Sequence, residues 1–463
     1  MTGERTEPSP GGWFYRFLYR AYARGSRWSY FFSGRISTLG WGVIVLVSAA
    51  AIMGTDIGRS GLYQIFTFGA AVLGISLVWA WARRARLTAR RNLPRHATVG
   101  EECRYTVEVI NKGRGSLRSW RLWDRAPDPR PDRETFLHSR EPGEEKRNAF
   151  DRLFVYYRWK WLLEGRLLFR GGQSEAGGRL TAGEKTTLRV LLQPRRRGVA
   201  VLDDLRVQLP DPLGLFQRCR LVKAPAQSLV VLPKRYRLPP LALPGSGCMQ
   251  LGGESGSNTI GSSSEFLGLR EYIPGDSLRH VHWKAWARTG QPIVKEFEDT
   301  WFPRYGLVLD NFVAPGDEDL FEEAVSVAAS FAAAVETDTA LLDLMFVHDR
   351  AVTVSVGRGV ARAEKMLEVL AGVEARQQPG FKDLATLVGR YADGMSACLC
   401  VFTGWSDERA GFLRSLIAMG LETVTFVVCR DEEVIVNDES VPPPSGRVLY
   451  LEQGSIQEGL LRL

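Results

Sequence analysis

The sequence predicts a multidomain chain: two transmembrane helices, then a β-sandwich-like domain, then an α/β domain with a mostly parallel sheet. Three observations carry this. Two long uncharged runs lie near the N-terminus, at 36–55 and 60–82. Short runs of alternating apolar and polar residues, punctuated by Gly and Pro, follow up to about residue 232. Beyond residue 300, apolar strand-like runs alternate with helical patterns, the order of a parallel sheet. The expected organisation is a basic N-terminus at 1–35, the two spans within 36–82, a β-rich domain at 87–240 with an insertion near 124–170, a Gly/Ser linker at 245–264, a motif-dense segment at 265–300 and the α/β domain at 301–463.

Each uncharged run is long enough to cross a hydrocarbon core, which takes about 20 residues. Arg5, Arg16, Arg20, Arg24, Arg27 and Arg35 precede the first run; Arg83, Arg84, Arg86, Arg90, Arg91 and Arg95 follow the second. Only Asp56 and Arg59 lie between them. The positive-inside rule then places both termini in the cytoplasm, at an inner membrane, with the lipid bilayer as a partner. Trp41, Tyr63, Trp79 and Trp81 stand near the span ends, where interfacial aromatics belong. A helical hairpin buried in a soluble protein is the competing reading.

In the middle region Cys103, Tyr105, Val107 and Val109 alternate with Arg104, Thr106 and Glu108, the period of a half-buried strand. Similar runs occupy 117–123, 186–192, 205–209 and 227–232, and a sandwich of about 100–150 residues fits them. In the insertion, Phe150, Leu153, Phe154, Tyr157 and Trp161 fall at helical spacing among Arg152, Arg158 and Lys160. Two readings stand: a helix or strand pair packed on the sandwich, or an amphipathic helix on the inner leaflet.

Twelve of the twenty residues from Gly245 to Ser264 are Gly or Ser, the composition of a flexible linker. Gly256 and Gly261 have P-loop spacing, but Ser262 and Ser263 follow where the lysine belongs, and the chain has neither a GxSxG elbow nor HExxH. In the next segment Pro274-Gly275 suits the centre of a type II turn and Asp276 the N-cap of a helix carrying Arg279, Trp283, Trp286 and Ala287 on one face. His280 and His282 have no third ligand nearby, so no metal is assigned to them.

The string Arg270-x-Tyr272-x-Pro274-Gly275-Asp276-x2-Arg279-x3-Trp283-x3-Ala287-Arg288, with Glu296 after it, resembles the signature of the domain of unknown function 58 family. Arg197-Gly198 and Asp211-Pro212-Leu213-Gly214-Leu215-Phe216 resemble that family too, as does the layout of two N-terminal spans before a β-rich region. The 124–170 insertion departs from it. The resemblance implies an adaptor or scaffold that works with a MoxR-type AAA+ ATPase in complex assembly or envelope-related maturation. Arg270, Tyr272, Asp276, Arg279, Trp283, Lys284, Arg288 and Glu296 then serve partner binding or domain coupling.

The C-terminal region reads as strand 306–310, helix 317–335, strands 341–347 and 352–356, helix 360–373, strand 397–402, helix 407–419 and strand 423–428. Ligands of such sheets collect at carboxyl ends of strands, here Asp310 and Thr403. The order is similar to the von Willebrand factor A fold, which the family is thought to carry. That fold's metal site uses Asp-x-Ser-x-Ser, whereas this chain has Asp310-Asn311-Phe312-Val313-Ala314 and then Thr403-Gly404-Trp405. A hard cation needs several oxygen ligands. A degenerate site without tight metal is therefore expected, and no cofactor or catalytic residue is assigned.

Charge is divided unevenly. Residues 301–463 carry 13 basic and 25 acidic side chains, net −12; residues 1–300 carry 47 and 27, net +20. Most of the surplus arginine flanks the spans, so topology accounts for it and nucleic acid is not an expected partner. The six cysteines form no CxxC pair; Cys398 and Cys400, at i and i+2 of an apolar run, are expected to share one strand face. The alternative to the adaptor is a hydrolase using Asp276, Glu296 and His282.

Overall fold

The computed structural model describes residues 13–53, 60–239, 249–251, 265–276, 278–298, 301–314, 316–334, 341–347, 351–356, 360–376, 380–430 and 447–462. The chain divides into two units, Met1–Lys234 and Arg235–Leu463.

The first unit opens with three helices: α1 (Trp13–Phe32), α2 (Thr38–Met53) and α3 (Ser60–Ala82). The expectation of two spans is corrected here. Among the described residues one helix, over Gly61–Ala82, is long and apolar enough to cross a membrane. α2 is apolar but has 16 residues, about 24 Å at the helical rise, short of a core about 30 Å thick. The two pack together. The base of α2 is bound to the β-rich region: Ser37 N donates to the Leu215 carbonyl (3.0 Å), Gln217 N to that of Arg35 (2.7 Å), and the Ser37 hydroxyl accepts from Gly40 N (2.9 Å), an N-cap.

Ten strands follow. β1 (Leu87–Asn92), β3 (Cys103–Asn111), β4 (Arg121–Asp124), β5 (Phe169–Ser174), β6 (Lys185–Pro194), β8 (Leu205–Pro210) and β9 (Gln217–Leu221) form an antiparallel seven-stranded sheet in the order β1-β3-β6-β5-β4-β8-β9. β2 (His96–Thr98), β7 (Gly198–Leu202) and β10 (Gln227–Leu232) form a second sheet, β2-β10-β7. Both sheets feed one apolar core, with Tyr105, Val107, Val109, Trp120, Leu122, Leu205 and Val207 from the larger and Ala200, Leu202, Leu229 and Val231 from the smaller. β3 alternates buried and part-exposed residues along its length, as its sequence predicts.

The arginine cluster after α3 is not simply a set of solvated charges. Arg91 is wholly buried and holds Asp124 through Nε (2.9 Å) and Nη2 (2.6 Å), while Tyr105 Oη donates to the same carboxylate at 2.6 Å. Nη1 donates to the Pro225 carbonyl (2.9 Å), so every group of this buried cluster has a partner. Arg83 donates to the carbonyls of Pro210 (2.6 Å) and Arg118 (3.2 Å).

The insertion holds α4 (Arg133–His138), α5 (Ala149–Phe154) and α6 (Tyr156–Arg166). The single amphipathic stripe expected there is broken: Val155, in a left-handed conformation (φ 46°), ends one helix and starts the next. α6 turns Trp159 and Leu162 inward and leaves Tyr157 exposed, while α5 leaves Phe150 and Leu153 exposed. The inward side packs on α1, where Leu18, Phe136, Val155, Trp159 and Leu162 form a separate core. Tyr22 Oη donates to the Phe154 carbonyl (2.9 Å) and Trp159 Nε1 to the Ser26 hydroxyl (3.0 Å).

In the second unit, Tyr236 N donates to the Ser330 hydroxyl (2.7 Å) and Arg237 N to Gln457 (3.0 Å). The Gly/Ser segment expected as a linker lies outside the described residues except for β11 (Met249–Leu251), a strand rather than free linker, antiparallel to β14 (Trp301–Leu309). β12 (Glu265–Glu271) and β13 (Ile293–Glu298) make an antiparallel pair around α7 (Trp283–Thr289). The large sheet uses β14 (Trp301–Leu309), β15 (Leu341–Val347), β16 (Ala351–Val356), β17 (Ala397–Thr403), β18 (Glu422–Cys429) and β19 (Arg447–Glu452) in the order β16-β15-β14-β17-β18-β19. Its neighbours are parallel apart from β15 with β16, and β14 with β11. α8 (Glu318–Ala334) packs Phe331 on Phe426 (4.6 Å). α9 (Val360–Gly372) packs beside α8. On the other face, α10 (Phe381–Tyr391) and α11 (Asp407–Ala418) cover Val308, Met345, Cys398, Cys400 and Phe402. Cys398 and Cys400 do share that face, sulfurs 3.8 Å apart.

Candidate functional site

In the 265–298 segment the chain folds back at Pro274-Gly275. Asp276 N donates to the Ile273 carbonyl (3.0 Å), and Gly275 has φ 117°, the positive value the third position of such a turn requires. Arg270 on β12 grips Asp276 with both terminal nitrogens, each at 2.7 Å. Asp276 also accepts from Ile273 N (2.9 Å). The Arg270 hydrogen bonds, then the Ile273 amide, pull the Asp276 carboxyl down to about 2.

Asp276 is therefore the lock of a turn, not the helix N-cap expected for it. The cap of α7 is His282, whose Nδ1 accepts from Ala285 N at 2.9 Å. Arg279 lies before the helix, in a 3-10 turn (Leu278–His280), so the face expected to carry Arg279 with Trp283 does not exist as one helix. Val281, buried, bridges to Val294 and anchors the excursion to β13. Tyr272 N donates to the Pro292 carbonyl (2.9 Å). Glu296 pairs through its backbone with Gly268; its side chain lies outside the described residues.

The outward side of the segment is aromatic and basic. Trp283 stacks on Trp286 at 5.3 Å and 19°, and is 63% exposed. Leu269, Ile273 and Leu278 are exposed apolar side chains, and Arg279, Lys284 and Arg288 are exposed cations of the same segment. Of the hydrolase trio, Asp276 and His282 are each committed to a local hydrogen bond.

The second candidate site is the carboxyl edge of the large sheet. Asp310 follows β14, and its N donates to the Val401 carbonyl (2.9 Å), which brings it beside Thr403. One Asp310 oxygen accepts from Phe312 N (3.0 Å); the other accepts from Arg409 Nε (2.7 Å) on α11. Burial pushes the Asp310 carboxyl up, and Arg409 opposes it. The Asn311 amide donates to the Val347 carbonyl (2.6 Å), and the Thr403 hydroxyl to that of Phe312 (3.4 Å). Both Asp310 oxygens are engaged, one of them by a guanidinium cation, so these residues do not fit the metal that the fold resemblance would bring. No cluster of three His, Cys, Asp or Glu side chains suited to a metal occurs among the described residues. Sequence reasoning found Asp310 and Thr403 but missed Arg409, whose only local signal was its place in the first turn of a helix after a strand end.

Fold and site together describe a multidomain protein with, among the described residues, one apolar helix of membrane-crossing length, an antiparallel sheet domain and a mostly parallel α/β sheet. The family described as "Protein of unknown function DUF58" matches residues 268–396, the span from the locked turn into the large sheet. A similar protein is the "Uncharacterized protein YeaD" of Bacillus subtilis (strain 168), 34% identical over 136 residues, or 29% of this chain; the match covers 32% of that protein's length. Among solved structures, the CARDB domain of PF1109 from Pyrococcus furiosus overlays 32% of this chain and 89% of its own at 12% identity with a TM-score of 0.16. A PapD-like domain of human CEP192 overlays 32% and 84% at 14% identity with a TM-score of 0.17. Scores of this size define no shared fold.

Proposed function

We propose that the chain is a membrane-anchored adaptor that docks a protein partner through the outward side of residues 265–298. The observation that carries this is exposed Trp283 stacked on half-buried Trp286, beside a turn held by Arg270 and Asp276. Exposed tryptophan beside arginine is the composition of interaction hot spots, and a pre-ordered loop loses little freedom on binding. The family match begins at this segment. Its resemblance supports a MoxR-type AAA+ ATPase as the partner and a von Willebrand factor A-like reading of the large sheet, with Asp310 as a site whose cation has given way to Arg409. The arginine-flanked apolar helices support an inner-membrane location.

The test is co-purification of the tagged full-length chain from membranes in mild detergent, with bound proteins identified by mass spectrometry. The parent recovers an AAA+ ATPase; Trp283→Ala and Arg279→Ala lose it while remaining in the membrane fraction. Equal recovery with both variants overturns the docking site, and a preparation free of any ATPase overturns the partner.

A further inference from the structure

We propose that α1, with the α4–α6 module packed on it, is a platform that lies in the headgroup layer of an anionic bilayer. This rests on the membrane-anchored reading but concerns a different surface.

The argument starts from how α1 divides its residues. Its inward stripe, including Phe14, Leu18, Tyr19, Tyr22 and Ser26, is spent on Phe136, Phe154 and Trp159. The opposite side stays exposed and is not that of a helix facing water. It carries Trp13, Arg16, Phe17, Arg20, Arg24, Arg27, Trp28 and Phe31, with Phe17 57% and Trp28 65% exposed. At 3.6 residues per turn, Arg16, Arg20 and Arg27 line one edge of this side and Phe17 and Trp28 the other, with Trp13, Arg24 and Phe31 between. α1 contains no acidic residue, and none of these four arginines has an ion-pair partner among the described residues.

Two further observations identify the cover. α1 runs into α2 after five residues, so the helix ends where the apolar pair begins. Phe150 of α5, 67% exposed, is linked to Trp13 at the start of the exposed side through the half-buried rings of Phe154 and Phe14: Phe150 to Phe154 at 4.5 Å, Phe154 to Phe14 at 6.2 Å, and Phe14 to Trp13 at 6.2 Å. Aromatic rings seated at headgroup depth, with arginines reaching phosphates, are what a bilayer surface receives; a water-facing helix gains nothing from them. Twenty residues give about 30 Å of contact along the surface.

The test uses the full-length chain reconstituted in vesicles of phosphatidylcholine and phosphatidylglycerol. Nitroxide labels are placed at Phe17→Cys and Trp28→Cys, and at Phe68→Cys on α3 as a reporter of the span. Collision with oxygen, which concentrates in lipid, is compared with collision with a water-soluble nickel chelate. The expected result is oxygen-rich, nickel-poor labels at 17 and 28, shallower than at 68. Nickel-accessible labels at 17 and 28 with a lipid-buried label at 68 overturn this proposal alone. Nickel access at all three overturns both it and the membrane-anchored reading. Labels at 17 and 28 shielded from both reagents mean a protein cover and also overturn it. In a second arm, Arg16→Gln, Arg20→Gln, Arg24→Gln and Arg27→Gln are combined. The preference for spin-labelled phosphatidylglycerol over phosphatidylcholine falls at least about fivefold, the worth of one arginine at an anionic surface. An unchanged preference overturns the assignment to anionic lipid.

Discussion

The Arg409 guanidinium on α11 closes on the Asp310 carboxylate at the end of β14, 99 residues away in sequence. Asp310 is fully buried, and the same arginine donates to the Phe312 carbonyl (3.2 Å). A carboxylate at the carboxyl edge of a parallel sheet sits where such sheets place ligands. Here the positive charge that balances it is covalently part of the fold, so α11 is pinned to the sheet and needs no ion.

Arg409→Met removes that balance and leaves a buried carboxylate without its cation. The expected loss of stability is about 3–5 kcal/mol. Asp310→Leu combined with Arg409→Met recovers most of it, because an apolar pair of similar volume carries no desolvation penalty. Thermal denaturation of the three proteins measures this. The same scans with added magnesium leave the parent's midpoint unmoved; a magnesium-dependent rise would mean that Asp310 still binds a cation.

Arg91 makes a similar case within the antiparallel sheet. Arg91→Leu strands Asp124 in the core with only the Tyr105 hydroxyl as a partner, at a cost of about 3–5 kcal/mol. Tyr105→Phe removes one hydrogen bond to the carboxylate and costs about 1.5–3 kcal/mol. Denaturant melts of the two variants rank them, and the reverse order would show that the tyrosine, not the arginine, holds Asp124.

What was legible in the sequence follows from which forces are local. Cys103–Asn111 and the alternating elements beyond residue 300 declare themselves because burial imposes period 2 or 3.6 on adjacent residues. The α1 helix was hidden because its arginines read as topology signals and its aromatics as a flank. β1 was hidden because Arg91 reads as a surface charge until Asp124 and Tyr105 are seen around it. The break at Val155 is a single backbone angle with no Gly or Pro to announce it, yet it decides which aromatics of α5 and α6 are buried. In the candidate docking site, the Pro274-Gly275 turn was legible, but the role of Asp276 was not. Its partner Arg270 lies on the preceding strand, and only the fold of the pair brings it within reach.

The Asp276 lock has a pH signature. Its folded-state carboxyl is depressed to about 2, below an ordinary aspartate near 3.9. A depressed acid contributes stability that is present above the unfolded value and is lost as pH falls through the folded one. The turn therefore holds at pH above about 4 and loosens toward pH 2. Pepsin cleavage of the full-length chain between Leu278 and Trp283 rises across that window. Asp276→Asn is already susceptible at its upper end. Cleavage that is flat across the window, or equal in parent and variant, would show that the ion pair does not hold the turn.

Gly40 decides how the apolar helices are held. A Cβ there would drive into the Leu215 carbonyl oxygen, the group that already accepts from Ser37 N, and would also meet Ile36 Cγ2 at 3.0 Å. Leu215 belongs to the turn after β8, where Asp211 accepts from Phe216 N (3.2 Å) and donates from its own N to the Phe216 carbonyl (2.9 Å). Backbone cannot retreat from that oxygen without breaking this turn. Gly40→Leu is therefore expected to cost about 1–3 kcal/mol or more by overpacking. It also frees residues 211–217 for proteolysis in detergent. Gly42→Leu, two residues on, meets nothing within 4 Å and should leave both stability and cleavage unchanged. Equal behaviour of the two variants would mean that the helices are held by their own packing and that the Leu215 contact contributes nothing.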